Sequence, residues 1–347
     1  MRHWCGLFVS AALAACTGNT IDAGGNDGAP DGPPASSDAD AAAGPTIVAS
    51  LIQLTPTDLV SDGTSLYWVS GVAVGGPVSS VPVGGGPIEA IVPGMIEGGF
   101  LASDDVNVYY FGAGGVDRAP KSGGGSPTLV NEPSDAGSPI VGTPTVLGGN
   151  LYWLEETGRD VLGPGSVGLA LKSASLKGGP VTTMATFATR GLPNLPYDVL
   201  GVTSATVFLS GSGQMEVDSF PIGAGVPDGG MPVPVAGVSE SCSRMVSDAD
   251  AVYCETVGGS VLRLASDGTA TVLGTVLAGG LVGAGLTFDD TYVYWLDSLP
   301  VGTVNRVPKT GGTSTVLAHD TSPVAIAVDA NAVYWSDVAG NIMRLAK

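Results

Sequence analysis

Beyond residue 45 the chain is written in short apolar–polar alternations punctuated by Gly, Pro, Asp and Ser, the period-two pattern of half-buried strands. Its last stretch shows the unit most clearly. A small-residue run, Pro323 to Val328, leads into Asp329, and an aromatic pair, Tyr334-Trp335, follows five places on. After a polar gap comes GNIMRLAK (Gly340 to Lys347), alternating again and carrying a basic residue. Earlier units add a Gly-Gly turn and one more apolar run, as in KTGGTSTVLA (Lys309 to Ala318). Each unit therefore predicts four short antiparallel strands joined by tight turns.

The aromatic position recurs at Tyr294-Trp295, Tyr253-Cys254, Phe208-Leu209, Tyr152-Trp153, Tyr109-Tyr110 and Tyr67-Trp68. Going backwards, the steps are 40, 41, 45, 56, 43 and 42 residues, which makes seven units of near-constant length. Four strands in a repeat of this size is the blade of a β-propeller. The final unit stops after its third strand, while Gly44 to Ala49 repeats the fourth-strand pattern ahead of the first unit. The expected fold is thus all-β: a seven-bladed propeller over 45–347, closed by an N-terminal strand that pairs into the last blade and removes two sheet edges.

Tyr334-Trp335-Ser336-Asp337 and Tyr294-Trp295-Leu296-Asp297 carry a family likeness. The chain resembles the YWTD-type propellers, as a bacterial relative, over roughly residues 45 to 347. The other five units depart from the motif, and the resemblance implies a fold rather than an activity, because propellers host binders, scaffolds and enzymes alike.

Composition changes the picture in two ways. Charged residues are only 13%, and 54 Gly with 25 Pro would ordinarily suggest disorder. Here those residues recur at fixed offsets between apolar runs, so they read as turns. No apolar stretch after the first 20 residues is long enough to cross a bilayer.

The start of the chain has a different logic. Met1-Arg2-His3 is basic, Trp4 to Leu13 is apolar, and Leu13-Ala14-Ala15-Cys16 follows, which predicts an export signal over 1–16. That ending resembles the bacterial lipobox, implying that Cys16 takes the lipid. Thr17 follows where an inner-membrane retention signal would have Asp. By resemblance to Gram-negative sorting, this implies an outer-membrane anchor facing the periplasm or the cell surface. Residues 17–44, rich in Gly, Ala, Pro and Asp, have almost nothing to bury and read as a flexible tether. Cys5 leaves with the signal, so the ring keeps Cys242 and Cys254, placed symmetrically about Asp248. In a hairpin centred there they would face each other, and export predicts a disulfide.

Candidate chemistry is sparse. His319 is the single histidine of the mature chain, placed in a loop between blades, and no G-x-S-x-G, H-E-x-x-H, P-loop or helix-borne GxGxxG is present. No catalytic residue is assigned. Five Asp stand five places before the anchor: Asp62, Asp104, Asp248, Asp289 and Asp329. Turn chemistry explains them, since Asp bonds its own backbone two residues on. Symmetry would also make them a crown able to hold a cation such as calcium or to attract a basic partner. No other cofactor is expected.

Nine basic residues follow the repeat, on or just after third strands: Arg118, Lys121, Lys172, Lys177, Arg263, Arg306, Lys309, Arg344 and Lys347. Asp297, Asp337 and Glu155 are expected to pair with them. Scattered among 32 acids, these cations form no nucleic-acid surface.

The repeat is broken at the 56-residue step, where Glu155 to Gly168 and Phe187 to Val199 supply the excess. Arg159, Asp160, Arg190, Asn194, Tyr197 and Asp198 make these the candidate binding loops. The resulting expectation is a monomeric, lipid-anchored, non-enzymatic binding or scaffold module for a protein or peptide. The competing expectation is a metal-assisted lyase or hydrolase at the channel mouth.

Overall fold

The computed structural model describes residues 44–51, 55–70, 76–94, 100–112, 115–130, 140–159, 167–188, 197, 199–211, 215–223, 232–275, 285–298 and 302–347. The chain divides into Met1–Ala42 and Ala43–Lys347, and all the strands belong to the second unit.

A lone strand, β1 (Thr46–Ser50), comes first. The first repeat forms β2 (Pro56–Ser61), β3 (Ser65–Ser70), β4 (Val78–Pro82) and β5 (Glu89–Val92). The second forms β6 (Leu101–Ser103), β7 (Asn107–Gly112), β8 (Gly115–Pro120) and β9 (Thr128–Leu129). The third has the longest strands: β10 (Ile140–Leu147), β11 (Asn150–Arg159), β12 (Val167–Ser175) and β13 (Thr182–Ala188). The fourth comprises β14 (Val199–Val202), β15 (Thr206–Ser210), β16 (Asp218–Pro221) and β17 (Val233–Pro234). The fifth is β18 (Cys242–Ser247), β19 (Ala251–Thr256), β20 (Ser260–Ala265) and β21 (Ala270–Thr275). The sixth is β22 (Leu286–Phe288), β23 (Tyr292–Asp297), β24 (Gly302–Pro308) and β25 (Thr315–Asp320). The last repeat supplies three strands, β26 (Pro323–Val328), β27 (Ala332–Asp337) and β28 (Asn341–Ala346).

Five four-stranded antiparallel sheets result, together with one eight-stranded sheet that spans the third and fourth repeats. This differs from seven separate sheets, and the cause is local. β10 and β14 run parallel and share one bridge, Thr143 to Val199, which joins the two meanders. The last sheet has the order β1-β28-β27-β26, so the N-terminal strand completes the C-terminal meander. Thr46 sits opposite Arg344 and Ser50 opposite Asn341, with a bulge between Ile47 and Ala49. Leu51 N also donates to Gly340 O at 2.6 Å.

The core lies between sheets. Buried clusters are each shared by consecutive repeats, such as Tyr67, Val69 and Ile91 of the first with Leu101, Val108 and Tyr110 of the second. Phe208 and Val217 of the fourth meet Val252 and Leu264 of the fifth. The first and last repeats are joined in the same way, Leu59, Leu66 and Trp68 packing on Ala325, Ala327 and Tyr334. The anchor aromatics fill these layers: Trp68, Trp153, Trp295 and Trp335 are all buried. Each contributes on the order of 2 to 3 kcal/mol by leaving water. Close approach requires small residues. A Cβ on Gly201 of β14 would stand 2.6 Å from the Val252 side chain of the next sheet.

Candidate functional site

The hairpin turns were the most regular polar feature of the sequence, and the structure gives their carboxylates a definite task. Asp62, Asp104, Asp248, Asp289 and Asp329 each accept through Oδ1 from the backbone N–H two or three places on, and each donates its own N–H back across the turn. Oδ2 accepts the anchor tyrosine hydroxyl in four of them, at 3.0 Å from Tyr67, 2.5 Å from Tyr109, 3.1 Å from Tyr253 and 2.8 Å from Tyr294. Asp329 Oδ2 accepts Ser61 Oγ of the first repeat at 3.0 Å. The fourth repeat, which lacks the Asp, uses Thr203 Oγ1 to accept from Ala205 N and Thr206 N. The third repeat turns on Gly148 and Gly149, both at positive φ.

Three of the lysines pair with turn carboxylates rather than with Asp297, Asp337 or Glu155. Lys121, Lys309 and Lys347 reach back into the preceding repeat, to Asp62, Asp248 and Asp289, at 2.8, 2.8 and 2.6 Å. Each ammonium also stands over the anchor ring of that repeat, at 5.0 Å from Tyr67, 5.3 Å from Tyr253 and 5.5 Å from Tyr294. Asp337 binds Asn341, while Asp297 accepts from Thr303 and Asn305. Arg118, Arg263, Arg306 and Arg344 lie directly across the ladder from their own anchor tyrosines.

These contacts set the ionisation. Burial alone would raise Asp62 and Asp289, but hydrogen bonds from lysine and from the turn outweigh it; Asp62 falls well below the carboxylate range and Asp289 falls to about 2. Asp104 and Asp248 are lowered in the same sense. Burial, then the Asp62 carboxylate, pushes Tyr67 up to about 12. The five turn carboxylates are not gathered together. Among the described residues no group of three or more His, Cys, Asp or Glu is placed to hold a metal ion.

One concave site lies where the first strands of six repeats come together. A cavity of about 320 Å³ is lined from β2, β6, β10, β14, β18 and β22. Asp58, Phe100, Thr143, Val199 and Arg244 all line it, and all stand nine places before their anchors. That shared offset is a column of equivalent positions, and two of its members are charged. Arg244 Nη2 donates to Asp58 Oδ1 at 3.1 Å, joining the fifth repeat to the first. Asp58 Oδ1 also accepts from Leu59 N at 3.0 Å, and Oδ2 accepts from Leu101 N at 2.8 Å. Burial pushes the Asp58 carboxyl above its ordinary range, and Arg244 with the two backbone donors offsets part of that. The Arg244 side chain is 31% exposed against 8% for Asp58, so the cation borders the open space while the anion is walled in.

The remaining sequence candidates fall elsewhere. Tyr197, expected in a binding loop, is buried, 6.1 Å from the Phe187 ring, with its hydroxyl donated to Asp218 Oδ2. Glu155 to Arg159 and Val167-Gly168 are strand, not loop, because a bulge between Glu156 and Gly158 lets the β11–β12 ladder run on. Arg159 ends β11, and Asp160, Arg190, Asn194 and Asp198 lie outside the described residues, as does Cys16. Cys242 and Cys254 are joined, with Cα atoms 5.7 Å apart. Met245 rather than Cys242 is the direct ladder partner of Cys254; the bulge after Cys242 brings the two sulfurs together diagonally. His319 is exposed and sits within β25, not in a loop.

No protein family model matches the sequence, and no curated protein does. Solved structures do resemble it. The WD40 β-propeller domain of Doa1 superposes with a TM-score of 0.59 at 12% identity, covering 88% of this chain and 97% of that one. The fold is a β-propeller. Catalytically inactive virginiamycin B lyase from Staphylococcus aureus with quinupristin gives a TM-score of 0.59 at 13% identity, over 87% of this chain and 99% of that one. Oligogalacturonate lyase from Vibrio parahaemolyticus also gives 0.59, at 11% identity over 87% and 93%. At such identities these neighbours establish the architecture of the propeller and nothing of its activity.

Proposed function

We propose that this is a closed, seven-bladed, YWTD-like propeller, anchored in the outer membrane through Cys16, that serves as a non-enzymatic binding or scaffold module for a cationic protein or peptide. Seven buried inter-repeat clusters, the last of them shared by the final and first repeats, support the blade count and the closure. The observation that carries the functional reading is where charge is spent. In the axial cavity the two charged lining residues neutralise each other. At the hairpin tips, by contrast, Asp105, Asp250 and Asp290 remain exposed beside the turn carboxylates. An acidic rim on a chain of net charge −19 steers basic partners.

The test is cross-linking and capture from cell envelopes with the full chain and with an Asp105→Asn, Asp250→Asn, Asp290→Asn variant. A specific protein captured by the parent and lost from the variant supports the reading; the same capture by both removes the acidic rim from it. Metabolic labelling with a tagged fatty acid should mark the parent and not Cys16→Ser. The competing enzyme reading draws on Asp58, a cavity carboxyl whose raised pKa suits proton transfer. Stoichiometric calcium or zinc in purified protein, with turnover of sugar or lactone substrates that Asp58→Asn abolishes, would favour it.

A further inference from the structure

We infer that the axial cavity is a binding site for a small organic acid: one carboxylate held by Arg244, with an apolar body against the surrounding walls. The inference is independent of the protein-partner reading, which concerns the hairpin tips. It begins from the inequality within the ion pair. Asp58 receives three donors, Leu59 N, Leu101 N and Arg244 Nη2, so both of its oxygens are occupied and it is buried. A guanidinium presents five N–H donors in a planar fork, and here one nitrogen is spent on Asp58. The carboxylate orients Arg244 and leaves the rest of its fork for an acceptor, since its side chain is the more exposed of the two. Fork geometry favours a planar two-oxygen anion.

The walls select the rest of the ligand. Phe100, Leu101, Val199 and Met245 contribute apolar surface, and Thr143 and Ser243 contribute hydroxyls. About 320 Å³ lies at the small end of ligand-site volumes, room for a compact acid and not for a folded partner. The site also depends on the whole ring, because Asp58 and Arg244 come from the first and fifth repeats. A cation has no comparable place here, as the one cavity carboxylate is already satisfied.

Benzoate is the probe, with benzamide as its uncharged isostere, measured by ligand-observed NMR titration against the full chain. Benzoate should bind the parent and an Arg306→Gln control alike, and benzamide should bind at least about tenfold more weakly. Arg244→Lys keeps a cation beside Asp58 but loses the fork, and should weaken benzoate by about tenfold while melting like the parent. Asp58→Asn separates ligand binding from structural support. Freed of its counter-ion, Arg244 should hold benzoate more tightly, by about tenfold, whereas a merely structural pair would give weaker binding or none. No benzoate binding by the parent, or equal binding by the parent, Arg244→Lys and Asp58→Asn, would overturn the inference.

Discussion

Lys309 Nζ lies 2.8 Å from Asp248 Oδ2, so a side chain of the sixth repeat closes the hairpin turn of the fifth. The same reach links Lys121 to Asp62 and Lys347 to Asp289. Both members of the Lys309 pair are largely shielded, at 18% and 22% exposure. Lys309→Met should therefore cost about 1 kcal/mol, at the upper end for such pairs, because the ammonium also loses the Tyr253 face. Asp248→Ala should cost about 2 kcal/mol, since two turn N–H groups lose their acceptor as well. A double-mutant cycle by chemical denaturation checks this; strict additivity would mean the pair contributes nothing.

Stability should fall at both extremes of pH. Asp289 is depressed to about 2, and Asp62, Asp104 and Asp248 are lowered too. A carboxyl with a depressed folded pKa stabilises above its unfolded value of about 4 and loses that contribution as pH falls through the folded value. Tyr67 and Tyr110 are raised to about 12, so their contribution is whole below about 10 and lost as pH climbs past 12. Melting temperature against pH should fall below about 4 and above about 10; between them Asp58 and Asp117, which burial holds above the ordinary range, give up their contribution as pH rises through their folded values. Tyrosinate absorbance should lag behind that of free tyrosine.

Joining Cys242 to Cys254 closes a short loop across the β18–β19 hairpin. The Cys242→Ser, Cys254→Ser double variant should lose about 2 to 3 kcal/mol. Mass spectrometry of the native chain, with and without reductant before alkylation, reads the bond directly. Unmodified melting after reduction would show that the hairpin does not depend on it.

Deleting residues 45–50 removes β1 and strips the outer edge from β28. Several cross-strand bonds disappear, each worth about 1 kcal/mol net. A lower melting temperature and concentration-dependent light scattering are expected, as the bare strand becomes a template for pairing. A deletion that melts like the parent would show that the last sheet holds without its N-terminal strand.

The strands were legible because turn residues and aromatics recur at fixed offsets, and the hairpin turns because Asp has one local way to close them. The ion pair of the cavity was not. Asp58 and Arg244 share an offset from Tyr67 and Tyr253, yet nothing local ties residue 58 to residue 244; only the arrangement of the repeats brings them within 3.1 Å. Lys121, Lys309 and Lys347 are a similar case, since each finds its carboxylate in the repeat before and no local spacing marks that partner. Glu155 to Gly168 of the third repeat looked like a loop because Gly and charges interrupt its alternation. A bulge at Glu156 and Gly158 absorbs the interruption and keeps the ladder going.

The sheet order β1-β28-β27-β26 also imposes a schedule. Among the described strands the first made during synthesis must wait for its neighbour, because its partner residues, Asn341 to Arg344, belong to β28. Until then it waits as an unpaired segment. Its brevity, the bulge after Ile47 and the prolines at Pro45 and Pro56 on either side make it a poor template for pairing with another chain in the interval. A chain truncated before residue 341 would never end that wait, so termination at that point should leave a molecule that the cell treats as unfinished.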